Sequence, residues 1–116
     1  SNDSTALGVT NSLVAAGFTA ENIPVITGQD CDVANTKNMI AGLQAMSVFK
    51  DTRTLAEQTV KMVGDILGGK TPETNGTYNN KVKDVPSYNC TPVFADASNY
   101  KTLLIDSGYY TEDQLK

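Results

Sequence analysis

The sequence predicts an α/β fold in which a parallel sheet is flanked by helices, and three patterns support this. Val25 and Ile26 are β-branched and follow Pro24, and the stretch VITGQDCD (25–32) runs through Gly28 toward a helix start, the strand-to-helix order of a parallel unit. Val33, Thr36, Ile40 and Leu43 then recur at helical spacing. Leu55, Val60, Val63, Ile66 and Leu67 fall on one helical face, with Glu57, Lys61 and Asp65 opposite.

Element by element, Asp3 or Ser4 suits the cap of a first helix whose stripe is Ala6, Val9, Leu13 and Ala16 and which Gly17 ends. A strand at 24–27 follows, then a helix over about 33–43 that Asp32 is placed to cap. Met46 to Phe49 reads as a short strand. The next helix begins with Thr54 and Glu57 at capping-box spacing, and Gly68-Gly69 stops it. Residues 70–85 are polar, with a turn at Asn79-Asn80, and 86–95 return to an extended apolar pattern. A last helix has Ser98 near its start, Tyr100, Leu103 and Leu104 inward, and Gly108 beyond its end.

At 116 residues and 40% apolar content the chain is one domain or a piece of one. It reads as a piece, because Ser1, Asn2 and Asp3 lead straight into a helix with no strand before it. Nine basic against thirteen acidic residues give a charge of −4, and the lysines form no stripe, so nucleic acid is not an expected partner. No apolar run approaches the roughly 20 residues of a membrane helix. Cys31 and Cys90 allow a single bridge.

The chain has no histidine, which removes the commonest general base and any Ser-His or Cys-His pair. Asp30 and Asp32 lack the further oxygen ligands of a calcium loop, and the glycines match neither the phosphate-loop nor the dinucleotide pattern. No enzyme, metal or cofactor is expected. Binding chemistry is better supplied, because Asn2, Asp30 and Lys50 each stand at a strand end or just before a helix. An amide, a carboxylate and an ammonium suit a polyhydroxylated ligand. Each also has a plainer reading: Asp30 as a helix cap, Asn2 as a chain terminus, Lys50 as a solvated charge. Asp51 is better placed to cap the helix after it.

The segments SNDSTALGVTNSL, IPVITGQDCD, MSVFKDTRTLAEQTVKMV, VPSYNCTPV and LLIDSGYYTEDQL together resemble the C-terminal part of type I periplasmic sugar-binding proteins of ABC importers, in the xylose and multiple-monosaccharide group. The resemblance implies a two-lobed fold. Residues 1–49 and 89–116 would belong to the C-terminal lobe, and 50–88 would hold the hinge crossing and a segment of the N-terminal lobe. It also implies that Asn2, Asp30 and Lys50 contact sugar. Lys50 replaces an amide of the galactose/glucose receptors, so their specificity does not transfer.

The function so implied is a solute-binding protein that captures a monosaccharide between lobes, in the periplasm or lipid-anchored at the cell surface. Its partners would be an ABC permease and a chemoreceptor. The alternative is the effector domain of a sugar-responsive transcription regulator, which shares the fold. The helix at 54–67 would pack on a lobe that this stretch does not contain, so the fragment is expected to self-associate. Export would permit the Cys31–Cys90 bridge.

Overall fold

The computed structural model describes all 116 residues, Ser1–Lys116. In chain order the elements are α1 (Asp3–Ala15), β1 (Thr27–Gln29), α2 (Val33–Ile40), β2 (Met46–Phe49), α3 (Thr52–Leu67), β3 (Gly76–Asn79), β4 (Asp84–Ser87) and β5 (Val93–Ala95). A π-helical segment, Lys101–Asp106, and a 3-10 turn, Glu112–Leu115, complete the chain. Two compact units result: Ser1–Phe49 with Val93–Lys116, and Lys50–Pro92. No helix is long and apolar enough to cross a membrane.

In the first unit the cap of α1 is Asn2, whose side chain accepts from Thr5 N, rather than Asp3 or Ser4. Asp3 is instead turned inward with Ala6 and Thr10, and this buried face displaces the expected stripe, leaving Val9 46% exposed. Thr10 tolerates burial because its hydroxyl donates to Ala6 O at 2.9 Å within its own helix.

β1 begins three residues later than the strand read at 24–27. Val25 is 83% exposed while Ile26 is buried. β1 lies at the sheet edge and pairs only with β2, with Thr27 opposite Met46 and Gly28 opposite Ser47. α2 buries Asn35, Thr36 and Met39 and leaves Ile40 exposed, so its inner face is more polar than apolar spacing predicts. It ends before Gly42, whose φ of +77° turns the chain so that Leu43 N donates to Asn38 O at 2.8 Å.

The sheet order is β1-β2-β5. β1 and β2 are parallel, but β5 runs antiparallel to β2, so the expected parallel sheet is a mixed one. Cys31, Met39, Phe49, Ala95 and Leu104 form the apolar core, with Tyr100, Leu103, Tyr109 and Tyr110 packed against it. Phe49 and Tyr109 meet edge to face with ring centroids 4.8 Å apart.

In the second unit Asp51 caps α3. The helix starts two residues before Thr54, so the Thr54–Glu57 capping box does not operate. Gly68 closes its other end. β3 and β4 form a hairpin with Tyr78 opposite Val85. Asn80 Oδ1 accepts from Val82 N and Lys83 N at 3.0 and 2.9 Å, which makes the predicted turn. β3 itself was hidden in a sequence too polar to show strand alternation.

Candidate functional site at the mouth of the first strand

The loop that leaves β1 carries two consecutive non-glycine residues at positive φ, Asp30 at +104° and Cys31 at +56°. Such backbone is disfavoured for L-residues and persists only where its surroundings fix it. Those surroundings are specific. Asp30 N donates to Val48 O at 2.8 Å, and Cys31 N donates to Ser47 Oγ at 3.0 Å.

Behind the loop lies the carboxylate of Asp3, sealed from solvent. Its Oδ2 accepts from Asp32 N at 2.8 Å, and its Oδ1 accepts from Gln44 Nε2 at 3.1 Å. Ser47 Oγ donates across both oxygens at 2.9 and 3.0 Å. Asn35 Nδ2 closes the network on Asp3 O at 2.9 Å and Gln44 Oε1 at 2.7 Å. Neutral donors therefore compensate a buried charge, and the network ties α1, α2, β2 and the strand-mouth loop together.

Gly28 is required by this arrangement. A Cβ there would overlap Asp3 Oδ1 and lie 2.8 Å from Gln44 Nε2. The glycine in VITGQDCD thus lets the first turn of α1 approach the strand.

The electrostatics follow from the same geometry. Burial pushes the Cys31 thiol up to about 11, against the lowering effect of Ser47, and the charges of Asp3, Asp30 and Asp32 push it further in the same direction. Cys31 is thus an inert core thiol at neutral pH. Desolvation, then the negative charges of Asp3 and Asp30, raise the Asp32 carboxyl above its usual range.

Of the residues singled out by sequence, Asn2 and Asp30 lie in one unit, linked through Asp3, which follows Asn2 and bonds the loop after Asp30. Asn2 is exposed, and its Oδ1 is engaged by Thr5 N and Thr5 Oγ1, both at 3.4 Å. Lys50 is the first residue of the other unit. It lines a pocket of about 130 Å³ with Asp51, Thr54, Leu55, Cys90, Thr91 and Pro92. Cys31 and Cys90 are both free thiols in the structure.

Sequence reading missed Asp3, Asn35, Gln44 and Ser47. The available signal was a glycine inside an apolar strand opposite a serine in the next, which marks a close approach of another group.

In open α/β sheets ligands bind outside the carboxyl ends of the strands, where the loop bearing Asp30 leaves β1. The chain is similar to periplasmic sugar-binding proteins. It is 46% identical, over 98% of its length, to 33% of the multiple sugar-binding periplasmic receptor ChvE of Rhizobium radiobacter. It is 48% identical over 98% of its length to 33% of the multiple sugar-binding periplasmic protein SbpA of Azospirillum brasilense. Among solved structures it superposes with a TM-score of 0.92 on an ABC transporter solute-binding protein from Clostridium phytofermentans with bound β-D-glucose. That likeness is 64% identical and covers 99% of this chain and 36% of the other. The chain thus spans about a third of the length of these relatives. No protein-family model matches it.

Proposed function

We propose that the chain is part of an extracytoplasmic solute-binding protein that captures a monosaccharide for an ABC importer. The observation that carries this reading is the 64% identity, over 99% of the chain, to a solute-binding protein holding β-D-glucose. In the reading, residues 1–49 and 89–116 belong to the C-terminal lobe, and 50–88 hold the hinge crossing and a segment of the N-terminal lobe, although residues 89–92 fall in the second compact unit. The division of the chain at Lys50 supports this assignment. The protein is a receptor rather than an enzyme, and it hands its sugar to a membrane permease and signals through a chemoreceptor.

In this reading Asp30 accepts from two sugar hydroxyls, Lys50 donates to a third, and Asn2 donates through its amide, since its oxygen caps α1. Closure of the lobes removes water from these contacts. Asp30→Ala in the full-length protein deletes charge-assisted bonds worth roughly 1.5–3 kcal/mol each. Affinity for D-glucose or D-xylose, measured by titration calorimetry, falls at least about tenfold. Unchanged affinity for every monosaccharide tried would make the Asp30 carboxylate structural. Taken by itself, the 116-residue chain self-associates through the apolar stripe of α3.

A further inference from the structure

The buried Asp3 carboxylate has no route to a ligand of its own. It nevertheless bonds the backbone one residue beyond the strained pair Asp30–Cys31, and through Ser47 it fixes the hydroxyl that holds Cys31 N. We infer that Asp3 is a positioning residue for ligand binding: with Ser47 it locks the Asp30–Cys31 backbone at positive φ and so aims the Asp30 carboxylate.

Three observations carry this. Asp30 and Cys31 occupy backbone conformations that L-residues rarely adopt, so without restraint the loop relaxes toward negative φ and Asp30 points elsewhere. Tyr110 Oη and Thr36 Oγ1 hold Cys31 O and Val48 O holds Asp30 N, but the bonds on the far side of the pair meet at one group, since Asp32 N and the Ser47 hydroxyl both donate to Asp3, and Ser47 Oγ in turn accepts from Cys31 N. Finally, the strand gives up its side chain at Gly28 to admit that carboxylate. A helix start that needed only to pack would bury an apolar residue here. Burying a charge is costly, and a carboxylate held by donors on both oxygens specifies one geometry where an apolar contact tolerates several.

The substitution that probes this is Asp3→Asn. An asparagine keeps the volume but offers one oxygen to three donors, so its amide N–H₂ must face Asp32 N, Gln44 Nε2 or Ser47 Oγ. The inference rests on the reading of Asp30 as a sugar contact, so the experiment separates the two. Affinity for D-glucose is measured on the full-length protein as parent, Asp3→Asn, Asp30→Ala and the double variant, well below the lowest unfolding midpoint. Asp3→Asn is expected to weaken binding about tenfold in the parent background and less than about twofold in the Asp30→Ala background, because its effect passes through Asp30.

Equal factors in both backgrounds, or a lowered midpoint with unchanged affinity, would overturn the positioning role and leave Asp3 a packing element. If Asp30→Ala weakens binding and Asp3→Asn does not, the positioning role alone fails. If Asp30→Ala leaves affinity unchanged, both readings fail. Should Asp3→Asn not fold, Ser47→Ala serves, since it removes both the bond to Asp3 and the acceptor of Cys31 N. It is expected to show the same dependence on Asp30 with a smaller factor, and additivity with Asp30→Ala would overturn the proposal.

Discussion

In the unit formed by Ser1–Phe49 and Val93–Lys116, Met39, Leu104, Asp3, Cys31 and Ser47 are sealed from solvent, whereas no residue of Lys50–Pro92 is buried. The bonds differ in the same way. In the first unit the polar network joins residues far apart in sequence, such as Asp3 to Asp32, Gln44 and Ser47. In the second the contacts are mostly local: the Asp51 cap on Arg53 N, the turn at Asn80 and the β3–β4 ladder. A two-stranded hairpin and one uncovered helix have little stability of their own. The first unit therefore specifies its own geometry, and the second is shaped locally and leaves the apolar stripe of α3 exposed.

The largest effect that separates the units is at Gly28. Gly28→Ala drives a methyl into the Asp3 carboxylate and Gln44, so it combines overpacking with loss of buried hydrogen bonds. It is expected to cost about 3 kcal/mol or more in urea unfolding. Gly8→Ala is the control, since a Cβ there meets nothing within 4 Å and helix propensity favours alanine by roughly 0.5–1 kcal/mol. Similar stabilities for the two variants would remove the Asp3 network from its place as the centre of the first unit.

The second effect is on the other unit. Val60, Ile66 and Leu67 of α3 are 72%, 60% and 84% exposed, a continuous apolar surface on a helix with no buried residue. Sedimentation of the 116-residue chain should show mass rising with concentration above the 12.4 kDa monomer. Lysines at Val60 and Ile66 should restore the monomer without unfolding the first unit. Association that survives these substitutions would move the sticky surface off α3.

Much of this organisation was legible beforehand. Periodicity located α3 and its exposed stripe, and Asp51 was correctly read as its cap. The α/β class followed from the strand-to-helix order around Gly28. What stayed hidden was the meaning of polar residues inside. Asp3, with a serine after it at a helix start, looks like a cap, because sequence spacing cannot tell an outward carboxylate from one bonded across more than forty positions to Ser47. The burial of Asn35, which lies off the stripe of Val33, Thr36, Ile40 and Leu43, stayed hidden for the same reason. The antiparallel β5 was equally silent, since strand direction is set by the route of the chain rather than by the three residues VFA.

The smallest effect sharpens the contrast by showing how locally the second unit is held. Asp51 Oδ1 accepts from Arg53 N at 2.9 Å and from Arg53 Nε at 3.0 Å, while Oδ2 takes Arg53 Nη2 at 2.7 Å. These bonds with Arg53 hold the Asp51 carboxyl below its ordinary value of 3.8. A carboxyl with a depressed folded-state pKa adds stability that is fully present above its unfolded pKa and is lost as pH falls through the folded one. Asp51→Ala should therefore cost about 1 kcal/mol at neutral pH, mainly through the lost cap, because an exposed ion pair adds little. The deficit relative to the parent should hold constant above about pH 5, begin to shrink near about pH 4 as the unfolded carboxyl protonates, and close further only as pH falls through the lowered folded-state value. Asp51→Asn keeps a cap oxygen at every pH and should recover most of the loss. Sugar affinity in the full-length protein should change far less than with Asp30→Ala. A deficit that persisted unchanged to pH 2 would mean that Asp51 acts through packing rather than through its charged cap on α3.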